Sequence, residues 1–423
     1  MAVGSPYPNY QPLRSRWVPR VPEHWSLLRA KNFLREIDDR SKTGEETLLS
    51  MRMQRGLVPH NDVSVKRIAP ENLIGYKKAQ LDELVLNRMQ AGNAMFFRNR
   101  QPGLVSPDYA VFRLLRDDNP EYLGHLFRSW PMRGLFRSES KGLGTGTSGF
   151  LRLYSDRFTA LDIPLPPRPE QDQIVAYLRA QDAHIARFIK AKRELIKLLT
   201  EHKLTLIDQA VTRGLDPNVR LKPSGIEWLG DVPEHWEVAL IKHIADVRFS
   251  GVDKHSHDHE KPVRLCNYTD VYKNDRITSD MDLMRATATA AEIARLTLKA
   301  GDVILTKDSE TPDDIGVPAW VPEDLPGVVC AYHLGLLRPV PNRVLGEFLF
   351  RAVGSARTAQ QFHVLATGVT RFALGKHDVK NAVVALPPVE EQRSICRWIT
   401  DKCKPLDDAI ARTEEEIKLI REY

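Results

Sequence analysis

The sequence predicts a mixed α/β fold: two globular domains in pseudo-twofold repeat, connected through long helices. Three observations carry this. Val21-Pro22-Glu23-His24-Trp25 returns as Val232-Pro233-Glu234-His235-Trp236, 211 positions later (232 − 21). Leu165-Pro166-Pro167-Arg168-Pro169-Glu170-Gln171 returns as Leu386-Pro387-Pro388-Val389-Glu390-Glu391-Gln392, 221 positions later (386 − 165). After each of the second motifs, apolar residues fall near seven-residue steps. A repeat of this size duplicates a whole domain rather than a solenoid unit. The stretches between the motifs barely match, so the frame is shared and the contents are not.

Residues 1–25 are Pro-rich and read as irregular. Over 26–164 the text alternates. Glu83-Leu84-Val85-Leu86 and Tyr109-Ala110-Val111-Phe112 read as strands, Tyr122 to Phe127 as a helical turn, and Gly142 to Gly149 as a loop. The region 165–213 is helical, with Ile174, Leu178, Ile185, Phe188, Leu195, Leu199 and Leu206 near heptad steps. Over 214–385 a linker is followed by the second domain. It has strands near Asp302 to Leu305 and Leu334 to Leu337, a helix over Glu347 to Phe362, and a loop at Ala366 to Thr370.

The closing region 386–423 carries two seams, Ile399/Leu406/Ile420 and Cys403/Ile410/Ile417. Pro405 breaks a continuous helix but suits the first turn of a new one. Each helical region is therefore expected as a short helix followed by a long one, the long ones starting near Asp182 and Lys404. Roughly 30 residues of the first would span about 45 Å. The seams suit an antiparallel pair within the chain, packing of each helix on its own domain, or a homodimer.

Bulk properties narrow the class. Hydrophobic content of 42% and charged content of 27% suit a chain that buries ordinary cores. A net charge of +6 leans mildly toward a polyanionic partner. No apolar run reaches membrane-spanning length. Cys266, Cys330, Cys396 and Cys403 form no Cys-x-x-Cys pair and read as the reduced thiols of a cytoplasmic protein.

No motif amounts to a catalytic site. The Pro-Pro pairs resemble the loop that amino-methyltransferases set against their base. Here Leu165 and Leu386 precede them and Arg168 and Val389 follow, so neither an accepting oxygen nor a stacking ring is present. The run His255 to Glu260 reads as a solvated loop, because no second ligand cluster accompanies it. Of the Glu-x-Lys triplets at Glu139/Lys141, Glu201/Lys203 and Glu416/Lys418, the last two fall on predicted helices, and Gly142 to Gly149 is followed by no phosphate-gripping Lys. The glycine and hydroxyl loops fit nucleic acid better. Gly142 to Phe150 precedes Arg152, and Thr367 to Thr370 precedes Arg371, at corresponding points of the two halves. Small residues let backbone N–H groups approach phosphates, and an adjacent Arg reaches a phosphate or a guanine edge.

Taken in order, these segments resemble the specificity (S) subunit of Type I restriction–modification systems. Gly225-Ile226-Glu227-Trp228-Leu229-Gly230-Asp231-Val232-Pro233-Glu234-His235-Trp236 looks like that family's domain opening, with Ser15-Arg16-Trp17 to Trp25 a degraded version. Leu-Pro-Pro…Glu-Gln…Ile, ending at Ile174 and Ile395, looks like the start of its helical regions, and Ala210 to Pro217 like its inter-repeat linker. The resemblance covers essentially the whole chain. It implies two target-recognition domains separated by an antiparallel pair of long helices, each domain reading half of a split site on double-stranded DNA. It also implies two methyltransferase (M) subunits docked on the helices and restriction (R) subunits joining that core. S-adenosylmethionine, ATP and Mg²⁺ would be bound by those partners, with no cofactor or metal in this chain.

The candidate DNA-binding residues are Arg52, Gln54, Arg55, Ser148, Arg152, Asn267, Tyr268, Lys273, Thr370 and Arg371, taken for side-chain type in loops or at strand ends. Leu178, Ile185, Leu199, Leu406, Ile410 and Ile417 are the expected spacer packing, with no catalytic residue. By the 221 offset, Gly214 maps to 435, beyond Tyr423, so the second helix reads as about a dozen residues short. An enzyme with an irregular site and a helical protein–protein adaptor are the rival readings.

Overall fold

The computed structural model describes residues 7–143, 150–312 and 314–422, which fall into two compact units, 1–186 and 187–423. Each is built on the same plan. In the first, Ser26–Arg29 pairs antiparallel with Asp162–Leu165, so the domain's first and last strands lie together. In the second, Glu237–Leu240 pairs in the same way with Val383–Leu386. Both motif ends of a domain thereby meet at one place.

Between those ends each unit holds an antiparallel four-stranded sheet. The first unit's strands are Leu34–Ile37, Leu84–Leu86, Phe96–Arg98 and Ala110–Leu114, and their spatial order is first, fourth, second, third. The second unit's are Ala245–Phe249, Val303–Thr306, Pro318–Trp320 and Leu334–Pro339, in the same order. Residues with a period of two send alternate side chains to opposite faces. Leu84, Leu86, Phe96 and Phe112 join one core while Val85, Phe97 and Val111 join another. Val303, Leu305 and Leu337 likewise separate from Ile304 and Leu336. Both faces of each sheet are covered, which explains the near-continuous apolar runs.

Several elements depart from expectation. The segment 1–25 contains a hairpin, Tyr10–Pro12 on Arg20–Pro22, matched by Leu221–Pro223 on Asp231–Pro233. The helix expected over Glu347 to Phe362 is two, Gly346–Val353 and Ala356–Leu365, because Gly354 ends the first and Ser355 caps the second by accepting from the Thr358 N–H. The loop expected at 366–370 is a tight hairpin, Thr367–Gly368 on Phe372–Ala373. Gly368 (φ 157°) is required there, since a Cβ would lie 2.0 Å from the Arg371 carbonyl oxygen.

The helical regions are not each broken in two. Arg168–Arg213 is one helix of 46 residues, about 69 Å at about 1.5 Å per residue. Val389–Glu422 is also one helix, with Pro405 inside it. A proline there removes one backbone donor and crowds the carbonyl four residues back. Burial of Ile399 and Cys403 ahead of it, and of Thr413 and Ile417 after it, holds the helix on both sides.

Within the second unit the two helices run antiparallel. Lys192 Nζ meets Glu416 at 2.6 Å, and Lys203 Nζ meets Asp407 at 2.7 Å, so one number rises as the other falls. Leu199, Leu406 and Ile410 are half-buried and Ile417 is buried; in the first unit Leu178 is half-buried. Ile185 departs from the expected packing and is 40% exposed. A seven-residue step places a side chain along the seam but supplies no partner to cover it, and Ile185 is left open to solvent.

Candidate nucleic-acid interface

The repeated motifs are a clip. In the first unit Trp25 Nε1 donates to Glu170 Oε1 at 3.1 Å, and His24 Nε2 lies 2.8 Å from Oε2. In the second, Trp236 Nε1 donates to Glu391 Oε1 at 3.1 Å, with His235 Nε2 at 2.8 Å from Oε2. The next residue is the second half of the clip. Gln171 and Gln392 are buried, donate to the Pro166 and Pro387 carbonyls, and accept from the backbone N–H of Asn119 and Leu345. Val-Pro-Glu-His-Trp and Leu-Pro-Pro…Glu-Gln therefore recur because they fasten each domain to the start of its helix. They hold the frame, and the variable surface lies elsewhere.

That surface gathers around two hairpins in the first unit. Leu49–Arg52 pairs with Gly56–Pro59, leaving Arg52, Gln54 and Arg55 exposed on the connecting turn. Lys141–Leu143 pairs with Phe150–Arg152, and Ser148 lies outside the described residues. Arg152 is half-buried, 3.6 Å from Asp108 and 5.5 Å from the centre of the Tyr154 ring. Burial pushes the neighbouring Tyr109 phenol up, the positive charge of Arg52 opposes it, and Asp108 adds to the rise.

The second unit's hairpin carries Thr370 and Arg371, both exposed, and is stitched to Asp308–Ser309 through Phe372–Ala373. Arg371 acts on Tyr268, whose phenol burial pushes up; Ser309 hydrogen-bonds to it and Arg371 pulls it down, while Asp314 pushes it up. Tyr268 stacks on Tyr272 with ring centres 5.6 Å apart and planes at 13°. Lys273 is exposed at the end of the same short helix, Tyr268–Lys273. Asn267 is turned inward instead. It is 8% exposed at the helix N-terminus, and its own N–H donates to Asp270 Oδ2 at 2.8 Å. Its side-chain Oδ1 is buried without a hydrogen-bond partner and its Nδ2 reaches only the Leu265 carbonyl at 3.4 Å, so burial rather than capping takes it off the exposed surface.

Residue type alone did not single out Lys307 and Tyr332. Lys307 Nζ lies 4.6 Å from the Tyr332 ring centre and 5.4 Å from that of Phe249. Its carbonyl accepts from the Leu374 N–H at 2.8 Å, just as the Arg88 carbonyl accepts from the Leu153 N–H at 2.9 Å. Leu153 and Leu374 are 221 apart, and Arg88 and Lys307 each closely follow the sheet's second strand. A cation after a central strand was the available signal. Chemically, the second unit offers exposed aromatic rings (Tyr272, Tyr332) among cations (Lys307, Arg371), a surface suited to bases and phosphates.

The loop of histidines offers less. Among the described residues no group of three or more His, Cys, Asp or Glu side chains is placed to hold a metal ion.

No family model matches the chain. Along 94% of its length it is 23% identical to the Type I restriction enzyme MjaVIII specificity subunit of Methanocaldococcus jannaschii, 89% of which is covered. Along 70% of its length it is 23% identical to the putative type I restriction enzyme MjaX specificity subunit of the same organism, over 63% of that protein. Its fold is similar to a chain solved in a study of complex assembly and conformational transition of the type I R-M system. That similarity has a TM-score of 0.60 at 16% identity over 95% of both chains. The resemblance seen in the motifs thus extends over the length of the chain and to its fold.

Proposed function

We propose that this chain is the specificity subunit of a Type I restriction–modification complex, a DNA reader without chemistry of its own. One observation carries the reading. Two domains of the same sheet order are clipped to helices by the same Trp–His–Glu contacts, yet they present unlike hairpins bearing Arg152 and Arg371. One frame with two different reading surfaces suits a split target with unlike halves. The long helices set the gap between the halves and dock two methyltransferase subunits. Tyr177, Leu198 and Leu204 support the docking role, since each apolar side chain is more than half exposed on Arg168–Arg213. Methyl transfer to adenine with S-adenosylmethionine, and ATP- and Mg²⁺-dependent translocation and cleavage, then belong to the M and R partners.

The purified chain, incubated with duplex DNA, Mg²⁺ and S-adenosylmethionine, is expected to neither methylate nor cleave. Adding M subunits is expected to produce methylation confined to one split motif. Methyl transfer by the chain alone would make it an enzyme. Methylation by M indifferent to this chain's reading surfaces would make it an adaptor.

A further inference from the structure

Beside the Arg52–Gly56 turn, the first unit contains a cavity of about 120 Å³ lined by Gln54, Arg55, Phe97, Arg98, Arg100, Glu121, His125 and Arg128. Its charge is unbalanced. Arg98 is satisfied by Asp82 and Glu121, each at 2.6 Å, and Glu121 is also shared with Arg179. Among the described residues no carboxylate lies within ion-pair distance of Arg55, Arg100 or Arg128. Arg128 lies 4.6 Å over the Phe97 ring, which fixes the guanidinium plane, and its Nε is buried with no hydrogen-bond partner. Burial and the charge of Arg100 both push its guanidinium below the ordinary arginine range, with Asp182 opposing. Burial does the same to His125, reinforced by Arg128 and Arg100 and opposed by Glu121 and Asp182. A folded protein holds like charges together at a cost unless something neutralises them.

We propose that this cavity is a binding site for a single phosphate group, gripped by Arg55, Arg100 and Arg128. Guanidinium forks match the oxygens of a tetrahedral oxyanion better than ammonium groups do, and three of them without a carboxylate partner line this cavity, Arg128 donating only a long bond to the Met53 carbonyl at 3.5 Å. Gln54 at the rim adds an amide donor. On the DNA-recognition reading the phosphate is one from the duplex backbone, and its capture sets the register in which the Arg52–Gly56 turn meets the base edges. A free phosphate anion would satisfy the same chemistry.

The test uses the full chain and the R55Q/R100Q double variant, whose changed side chains are both exposed and leave the Arg128–Phe97 stacking in place. Potassium phosphate stabilises proteins generally by exclusion, so the quantity read is the excess over the variant at equal ionic strength against chloride. The wild-type chain is expected to show a saturable rise in melting temperature with phosphate that the double variant lacks. On duplex DNA the variant is expected to bind more weakly, with a salt slope lower by about one unit because one phosphate fewer is neutralised. A saturable phosphate effect with an unchanged duplex salt slope would retain the site and assign it to a free anion. If the wild-type chain and the variant respond alike to both phosphate and duplex, the cavity is not a phosphate site. Failure of the wild-type chain to bind duplex at all would instead remove the DNA-recognition reading.

Discussion

Glu391 holds two donors from a single opening motif, and one of them belongs to Trp236, which is 1% exposed. Removing an acceptor from a buried donor costs about 1–3 kcal/mol. Glu391→Ala is expected to lower the unfolding free energy of the second unit by that amount, measured by denaturant titration followed through tryptophan fluorescence. The counterpart Glu170 adds a pH dependence. Burial pushes its carboxyl up, but hydrogen bonds from Tyr7, His24 and Trp25 and the charge of His24 together hold it below the ordinary range. A depressed carboxyl stabilises the fold above its unfolded value, about 4.3, and that contribution disappears as pH falls through the lower folded value. Glu170→Gln is therefore expected to flatten the acid limb of a stability profile below about pH 4.3. At the reading surface, Arg371→Ala is expected to weaken specific binding by about 1–3 kcal/mol through a base edge. If Arg371 meets a phosphate instead, the same change would lower binding to all sequences together. Arg152→Ala is expected to have the smaller effect on binding, since Asp108 already holds that side chain.

Pro405 is the residue at which sequence reasoning about elements fails most informatively. Proline is costly inside a helix, so the sequence predicts a break, yet Val389–Glu422 passes through it. Propensity gives way to packing, because Ile399, Cys403, Thr413 and Ile417 are all buried along one side. Pro405→Ala is expected to raise stability by about 1–3 kcal/mol, read as a higher denaturant midpoint with unchanged slope. The strands were legible for the opposite reason: both sheet faces are buried, which writes them in the sequence as short, nearly continuous apolar runs. Gly354 was a visible stop inside the expected 347–362 helix, but the surrounding apolar text outweighed it. The cavity at Arg55, Arg100 and Arg128 was not legible at all. Its residues come from a hairpin turn, the end of a strand and the end of a helix, and only the tertiary fold brings them together. Asn267 shows the same limit from the other side, since an asparagine before a helix reads equally well as a cap or a DNA contact.

At the scale of the molecule, a shared frame encloses unlike contents. The frame was readable because the clip needs the same residues twice. The contents were not, because no rule connects a loop residue to the base it meets. Two predictions belong here. Inserting four residues after Leu199 and four after Ala411 would lengthen both antiparallel helices by about 6 Å while nearly restoring their seams. With a duplex rise of about 3.4 Å per base pair, methylation by the assembled complex is expected to prefer the same half-sites with the gap longer by one or two base pairs. An unchanged optimum with full activity would mean that the helices do not measure the site.

The other prediction bears on the central claim, two different readers in one frame, and methylome sequencing of host DNA with and without the gene tests it most directly. The hairpins at Lys141–Arg152 and Thr367–Ala373 differ in length and composition, so the two halves of the target are expected to differ as well. The account predicts a methylated motif that disappears with the gene and consists of two unlike half-sites around an unread gap. A gene-dependent motif that is palindromic, or continuous without a gap, would contradict it.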